Sequence, residues 1–492
     1  MNPYLPLYEY IPDGEPHVFD GKAYIFGSHD RFDGEVFCQN DYIAYCADFD
    51  DLDHWHYCGV IYSKYQDPRN EGLEGLDAHY MWAPDVVKGN DGRYYLYYCL
   101  DVLPEIAVAV SDTPAGKYEF LGYVKHPDGT PLGLKEGDLI QFDPGVFIDD
   151  DKTIYLYSGN APRTLADMSD DHRSQVMQLE NDMLTLKTMP KLLMPIVGEC
   201  DNNAFKGHEF FEASSIRKIN SKYYFIYSDI NSNSLSYAVS DYPDRDYEFK
   251  GQLIALGDTG YKNRKRDEAR NFLGNTHGSI ECINGEWYVF YHRQTNRNLY
   301  SRQSCVEIIY FDENGNISQP EMTSLGFRKD SLAAKGNYSS AYACNLWGID
   351  GIYEYVREKH PEDNYPYITQ VGEDREMNEL SYIANMQNGS CAGYKYFSFD
   401  EDTDIQIKVN GCGKGKMRIF AEREDLYDEN NHMLNDLTDT HHPLLITEID
   451  IDVKNEMSVF SGRIKGLRGR VALYFEYVGS GRIDFYEIGF GE

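Results

Sequence analysis

Phe210-Phe211-Glu212-Ala213-Ser214-Ser215-Ile216-Arg217-Lys218-Ile219 is followed by Asn220-Ser221 and then by Lys222-Tyr223-Tyr224-Phe225-Ile226-Tyr227-Ser228-Asp229. Two runs of high β-propensity around a short polar turn make a hairpin. One acid, Glu212, stands among aromatics at its mouth, where an unpaired buried charge would be costly. In a single copy the default reading is a surface strand with a solvated glutamate.

The hairpin is not a single copy. Its second strand recurs as Lys22–Phe26, Tyr94–Tyr98, Ile154–Tyr157, Tyr223–Tyr227 and Trp287–Tyr291, and the aligned tyrosines 24, 95, 155, 224 and 288 lie 71, 60, 69 and 64 residues apart. Turn residues precede each one: Asp20-Gly21, Asp91-Gly92, Asp149-Asp150-Asp151, Asn220-Ser221 and Asn284-Gly285. Ten to twelve residues before each tyrosine stands a polar group, respectively Asp13, Asp85, Asp143, Glu212 and His277. Five copies of a sheet-only unit at this period predict a five-bladed β-propeller. The innermost strand of each blade starts at the same end of the central channel, so the five polar groups are expected to converge on one axial pocket.

The 492 residues predict two domains. We expect the propeller over 1–325, a connector without repeat pattern over 326–377, and a second all-β domain over 378–492. There Asp404–Val409, Met417–Phe420, Val471–Phe475 and Ile483–Ile488 alternate between Gly-rich turns, the pattern of a β-sandwich, jelly-roll-like. The polar segment Met168–Asn181 reads as a loop or short helix, and the extended Asn2–Pro6 as a segment that could help close the ring. A basic island, Lys262–Arg270, precedes the fifth blade.

With 46 basic and 81 acidic residues, the net charge of −35 argues against nucleic acid or an anionic membrane as partner and suits a neutral ligand. The 42 tyrosines suit sugar rings, though many must be strand core. The first residues carry neither a basic segment nor an apolar run, so the expected address is the cytoplasm. The ten scattered cysteines, with no Cys-x-x-Cys pair, read as free thiols.

Hydrolysis of a glycosidic bond takes two carboxyl groups across the bond, one protonated and one ionised, and a third nearby can hold the acid protonated by like-charge repulsion. Asp13, Asp143 and Glu212 fill this constellation, with Glu212 in an apolar frame that suits an acid. Asp20, Asp30 and Asp33 are rivals of Asp13, which the repeat spacing favours. His277 could bind a metal, hydrogen-bond in the channel, or be a satisfied strand histidine.

At these residues the chain resembles glycoside hydrolase family 43. The resemblance rests on Tyr10-Ile11-Pro12-Asp13-Gly14, Trp82-Ala83-Pro84-Asp85, Phe142-Asp143-Pro144-Gly145, Phe211-Glu212-Ala213-Ser214 and Thr276-His277-Gly278-Ser279. It implies an inverting enzyme with Asp13 as general base, Asp143 as tuner of the acid and Glu212 as general acid. It further implies Arg302 on the sugar, Trp82 at the pocket wall, and His277 beside a structural calcium ion, with no cofactor for the chemistry. The implied activity is release of terminal pentoses from arabinose- or xylose-containing oligosaccharides, α-L-arabinofuranosidase ahead of β-xylosidase or both together. A retaining enzyme of the invertase type would need an Asn-Asp-Pro-like motif, which is absent; a non-catalytic glycan-binding propeller is the rival from another class. The last domain resembles a family 6 carbohydrate-binding module through Cys391–Phe397 and Gly479–Phe485, while the acidic insertion Glu422–Asn435 has no counterpart.

Overall fold

The computed structural model describes all residues except 170, 201–202, 356–363, 377–379, 423–443 and 492. Residues 423–435 of the acidic insertion therefore lie outside the described part.

The opening hairpin forms as expected. Phe210–Ile219 pairs antiparallel with Lys222–Asp229, and the two-residue turn Asn220-Ser221 has positive φ at both positions, 49° and 66°. That is the backbone a type I′ turn demands, because it matches the right-handed twist of the strands. Five such hairpins extend into blades. Blade I comprises Glu15–Phe19, Lys22–Phe26, Tyr42–Asp48 and His56–Tyr62; blade II Met81–Lys88, Tyr94–Leu100, Ile106–Ser111 and Glu119–Tyr123; blade III Gly145–Ile148, Ile154–Ser158, Gln175–Leu179 and Lys191–Leu192. Blade IV adds Ser234–Ser240 and Glu248–Ala255 to the hairpin, and blade V holds three strands, Ile280–Ile283, Glu286–Gln294 and Arg302–Ile309. The polar segment around Met168–Asn181 thus contains a strand rather than a helix.

Five apolar clusters fill the gaps between successive blades. Tyrosines dominate these seams because a ring fills the wedge while its hydroxyl reaches the neighbouring blade. The Tyr97 hydroxyl donates to the Met183 carbonyl (2.6 Å), Tyr157 to Pro243 (2.8 Å) and Tyr224 to Gly315 (2.8 Å). The ring closes at its ends. Asn2 donates from Nδ2 to the Val306 carbonyl (2.7 Å) and accepts the Val306 N–H (2.9 Å), and Gly14 bridges to Gly278. A Cβ on Gly278 would stand 1.9 Å from the Phe290 carbonyl oxygen, which explains the glycine after His277.

The C-terminal domain is one ten-stranded sheet system carried by two long strands, Thr403–Glu422 and Gly469–Phe490. The segment read as connector is part of it. Leu332–Ala333, Gly336–Ser339, Asn345–Trp347 and Tyr367–Gln370 all pair into this sheet. These strands are two to four residues long, too short for a periodicity to show in sequence.

A candidate active site at the mouth of the propeller channel

Register across the hairpins sorts the inner strands into layers. Opposite the aligned tyrosines lie His17, Val87, Phe147, Arg217 and Glu281. Two residues nearer the mouth come Glu15, Asp85, Gly145 and Ser215. The outermost layer carries Asp13, Trp82, Asp143, Glu212 and His277, all of which line one cavity of about 470 Å³. Asp85 is therefore a correction: its carboxylate lies one layer below the pocket. The register is the cause: Asp85 pairs with Tyr97, two residues past the aligned Tyr95, the level that Gly145 and Ser215 hold in blades III and IV. A bulge brings Trp82 to the mouth instead. Trp82 and Asp85 span three residues against two on the partner strand, with Ala83 at φ 26°, just as Glu212 and Ser215 do, with Ala213 at φ 70°. Glu212 thus aligns with Trp82. Asp85 instead staples three blades, through His17 Nε2 (2.7 Å) and the Val146 N–H (2.7 Å).

Asp13 is buried, with φ 56°. Its Oδ1 accepts from Arg302 Nη1 (3.1 Å), and its own N–H donates to Nδ1 of the buried His292 (3.2 Å). Burial pushes the Asp13 carboxyl up, but Arg302, then His292 and His277, outweigh it and hold the group below the usual carboxylate range. Arg302 is clamped from behind by Asp30, which accepts from Nε (2.8 Å) and Nη2 (3.0 Å), and its guanidinium lies 4.7 Å over the Phe37 ring. Asp30, fully buried, belongs to the Arg302 clamp; Asp20 sits in the turn of the first hairpin, and Asp33 binds Asn296 (3.1 Å). Of the four candidates for the base, Asp13 alone lines the cavity.

Asp143 is the electrostatic opposite. Its Oδ2 accepts the Ala213 N–H (3.2 Å), the strained residue next to Glu212. Burial first, then the Glu212 and Asp13 carboxylates, push the Asp143 carboxyl well above its ordinary value. The pocket is thus biased toward a protonated carboxyl on the Asp143 side and an ionised one at Asp13. His277 Nδ1 stands 3.6 Å from Asp143 and 3.9 Å from Asp13, and burial pushes its imidazole below its ordinary value. Trp82 packs edge-on against Phe142 (5.5 Å), and its indole N–H is buried with no hydrogen-bond partner among the described residues.

The family model for glycosyl hydrolases family 43 matches residues 21–317. The chain belongs to glycosyl hydrolases family 43. It is 44% identical over 485 residues to a xylosidase/arabinosidase of Thermoclostridium stercorarium, covering 98% of this chain and 96% of that protein. It is 30% identical to a β-xylosidase of Xylanibacter ruminicola over 63% of this chain and 96% of the relative. The solved arabinoxylan arabinofuranohydrolase of Bacillus subtilis, at 17% identity, shares the fold over 100% of this chain and 97% of its own, with a TM-score of 0.50. The family match includes Asp143, Glu212, His277 and Arg302; Asp13 precedes it.

The family-43 pocket also has walls that repeat spacing does not reveal. Phe37, Cys38, Arg163, Asn231, Asn275 and Leu299 come from loops at blade ends. Glu354 and Tyr355 come from the C-terminal side of the chain. Leu273 and Glu354 form a parallel bridge, and the Tyr355 hydroxyl donates to the Asn296 carbonyl (2.6 Å), so this strap is bound to the rim of the pocket.

Proposed function

We propose that this glycoside hydrolase is an inverting, exo-acting enzyme that removes terminal pentoses from short arabinose- or xylose-containing oligosaccharides. The observation that carries the reading is the opposite protonation bias of the two sides of one pocket. Asp13, kept ionised by Arg302, takes the proton of the attacking water. Glu212 donates a proton to the departing oxygen, and Asp143, buried beside it, keeps that proton available. The incoming hydroxide equivalent replaces the leaving alkoxide at the anomeric carbon, so protons and charge balance over the cycle. Arg302 and Trp82 bind the sugar in this reading.

We place α-L-arabinofuranosidase first. β-Xylosidase is the second reading: the Xylanibacter ruminicola relative is named a β-xylosidase, while the Thermoclostridium stercorarium relative is named for both activities. The test is hydrolysis of p-nitrophenyl α-L-arabinofuranoside beside p-nitrophenyl β-D-xyloside by wild type, Asp13→Asn and Glu212→Gln. Activity on either substrate, reduced at least about a hundredfold in Asp13→Asn, supports the assignment. Full-rate hydrolysis of a natural oligosaccharide by Glu212→Gln would refute it, and binding of glycans without any turnover would favour the non-catalytic propeller.

The proposed chemistry uses no metal. A structural calcium ion at His277 is a separate proposal: the ring lines the cavity and makes no hydrogen bond among the described residues, and burial disfavours its protonated form. Calcium prefers oxygen ligands, so one imidazole would leave most of its shell to water. Deeper in the channel, Glu15, His17 and Asp85 also have ligand atoms within 4.8 Å of one another, but Arg217 stands 3.4 Å from Glu15 and supplies positive charge there. Added calcium should raise the melting temperature of chelator-treated wild type but not of His277→Ala. Glycan binding by the C-terminal domain and the cytoplasmic address are likewise proposals; cell fractionation checks the second.

A further inference from the structure

A second cavity, of about 610 Å³, lies along the seam between the propeller and the C-terminal domain. One wall is the end of the basic island, with Arg270; the other is the sheet that carries Trp347, Phe420, Tyr474 and Glu476. Trp347 and Tyr474 stand 5.9 Å apart at 47°, and the Trp347 indole N–H makes no hydrogen bond among the described residues although the ring is only half-buried. Beside these faces are two fixed guanidinium groups. Arg418 lies 5.0 Å over Phe420 and donates to Glu476 (3.1 Å); Arg270 donates to the Tyr474 hydroxyl (2.9 Å). Flat aromatic faces next to anchored hydrogen-bonding groups fit a molecule with apolar C–H faces and a rim of hydroxyls. They do not fit an extended apolar peptide, which would leave these charges facing hydrocarbon.

The seam cavity is close to the catalytic pocket. Gly351 lines the first and Glu354 the second. Three peptide steps of 3.8 Å separate their Cα atoms by at most about 11 Å. Arg266, one residue before Asp267 of the seam cavity, pairs with Glu354 of the catalytic pocket. The two cavities are thus joined through neighbouring residues, and a chain of linked sugars leaving the pocket on this side would reach the seam.

We propose that the seam cavity is a distal saccharide subsite, which holds the leaving-group end of an oligosaccharide whose terminal pentose occupies the catalytic pocket. This rests on the glycosidase reading above. The expected signature is a dependence on substrate length. Trp347→Ala should leave kcat and KM for p-nitrophenyl pentosides unchanged and raise KM for pentose oligosaccharides of four or more sugars about tenfold, with kcat little altered. Trp347→Phe, which keeps a flat face, should recover part of the loss, and an unchanged melting temperature in Trp347→Phe excludes misfolding as the cause. Calorimetric titration of Glu212→Gln with xylotetraose, with and without Trp347→Ala, reads binding apart from turnover. Equal KM values in wild type and Trp347→Ala for long substrates, or an equal loss on aryl glycosides, would overturn the subsite. Wild type that binds xylotetraose through Trp347 yet hydrolyses nothing would overturn the glycosidase reading and leave the saccharide site standing.

Discussion

At the residue scale, the pocket separates two carboxyl environments by what stands behind each. Asp13 faces a guanidinium; Asp143 faces other carboxylates. The pH dependence follows with a definite sign. In the proposed mechanism activity requires Asp13 ionised, so the acid limb of kcat/KM is expected below the ordinary carboxylate range, where Asp13 is lowered. Activity also requires the proton retained at Asp143–Glu212, so the basic limb lies above that range. Asp143→Asn removes the carboxyl that shares one negative charge with Glu212 on deprotonation of the pair, and should move the basic limb to lower pH, with the acid limb nearly fixed, as a pH series of kcat/KM on an aryl pentoside will read. Six pocket residues were legible: Asp13, Asp143, Glu212 and His277 from repeat spacing and motif, and Trp82 and Arg302 from the family resemblance. Asp85 was not legible as a staple, because the turn after its strand, residues 89–93, is longer than Asn220-Ser221, and a count along the chain mixes turn length with layer; its offset from the aligned tyrosine, the shortest of the five, was the one available sign. Phe37, Asp30 and Tyr355 lie on loops outside the repeat, and their positions depend on closure of the ring.

The inner hairpin is the element that sets the layers. Its period-2 alternation and its turn residues were readable, and the turns carry the strain that a sequence marks by asparagine, aspartate and glycine. Ser221 holds φ 66° without being glycine. Ser221→Gly should therefore stabilise the protein by about 0.5–1 kcal/mol, measurable as a shift in urea midpoint at constant slope. The short strands of the former connector were not readable, since their edge pairing is with distant partners such as Phe490 and Cys391. Gln175–Leu179 was obscured by its glutamines, one of which is buried against Gln141 (3.2 Å) rather than solvated.

For the whole molecule, the two domains are locked by charge. Lys395, buried in the C-terminal sheet, reaches Asp258 (3.1 Å) and Glu321 (2.6 Å) of the propeller side, and Arg264 joins Asp258 (3.2 Å). Lys395→Met leaves the buried Glu321 without its cation and Asp258 with Arg264 alone, and should cost about 3–5 kcal/mol, seen in denaturant unfolding. Although burial opposes it, Lys395 holds the Glu321 carboxyl below its usual value. That part of the stability is present at neutral pH and is lost as pH falls through the lowered value; the variant should lack it. The Asn2 clasp has a consequence in time as well as in space. Its partner Val306 is 304 residues away, and Arg302 is 289 residues from Asp13. At roughly 5–20 residues per second of synthesis, Asp13, the proposed general base, emerges from the ribosome roughly 15–60 s before Arg302, the guanidinium that pairs with it. A nascent chain with four blades complete therefore has no working pocket, and enzymatic activity during translation would report the moment at which the ring shuts.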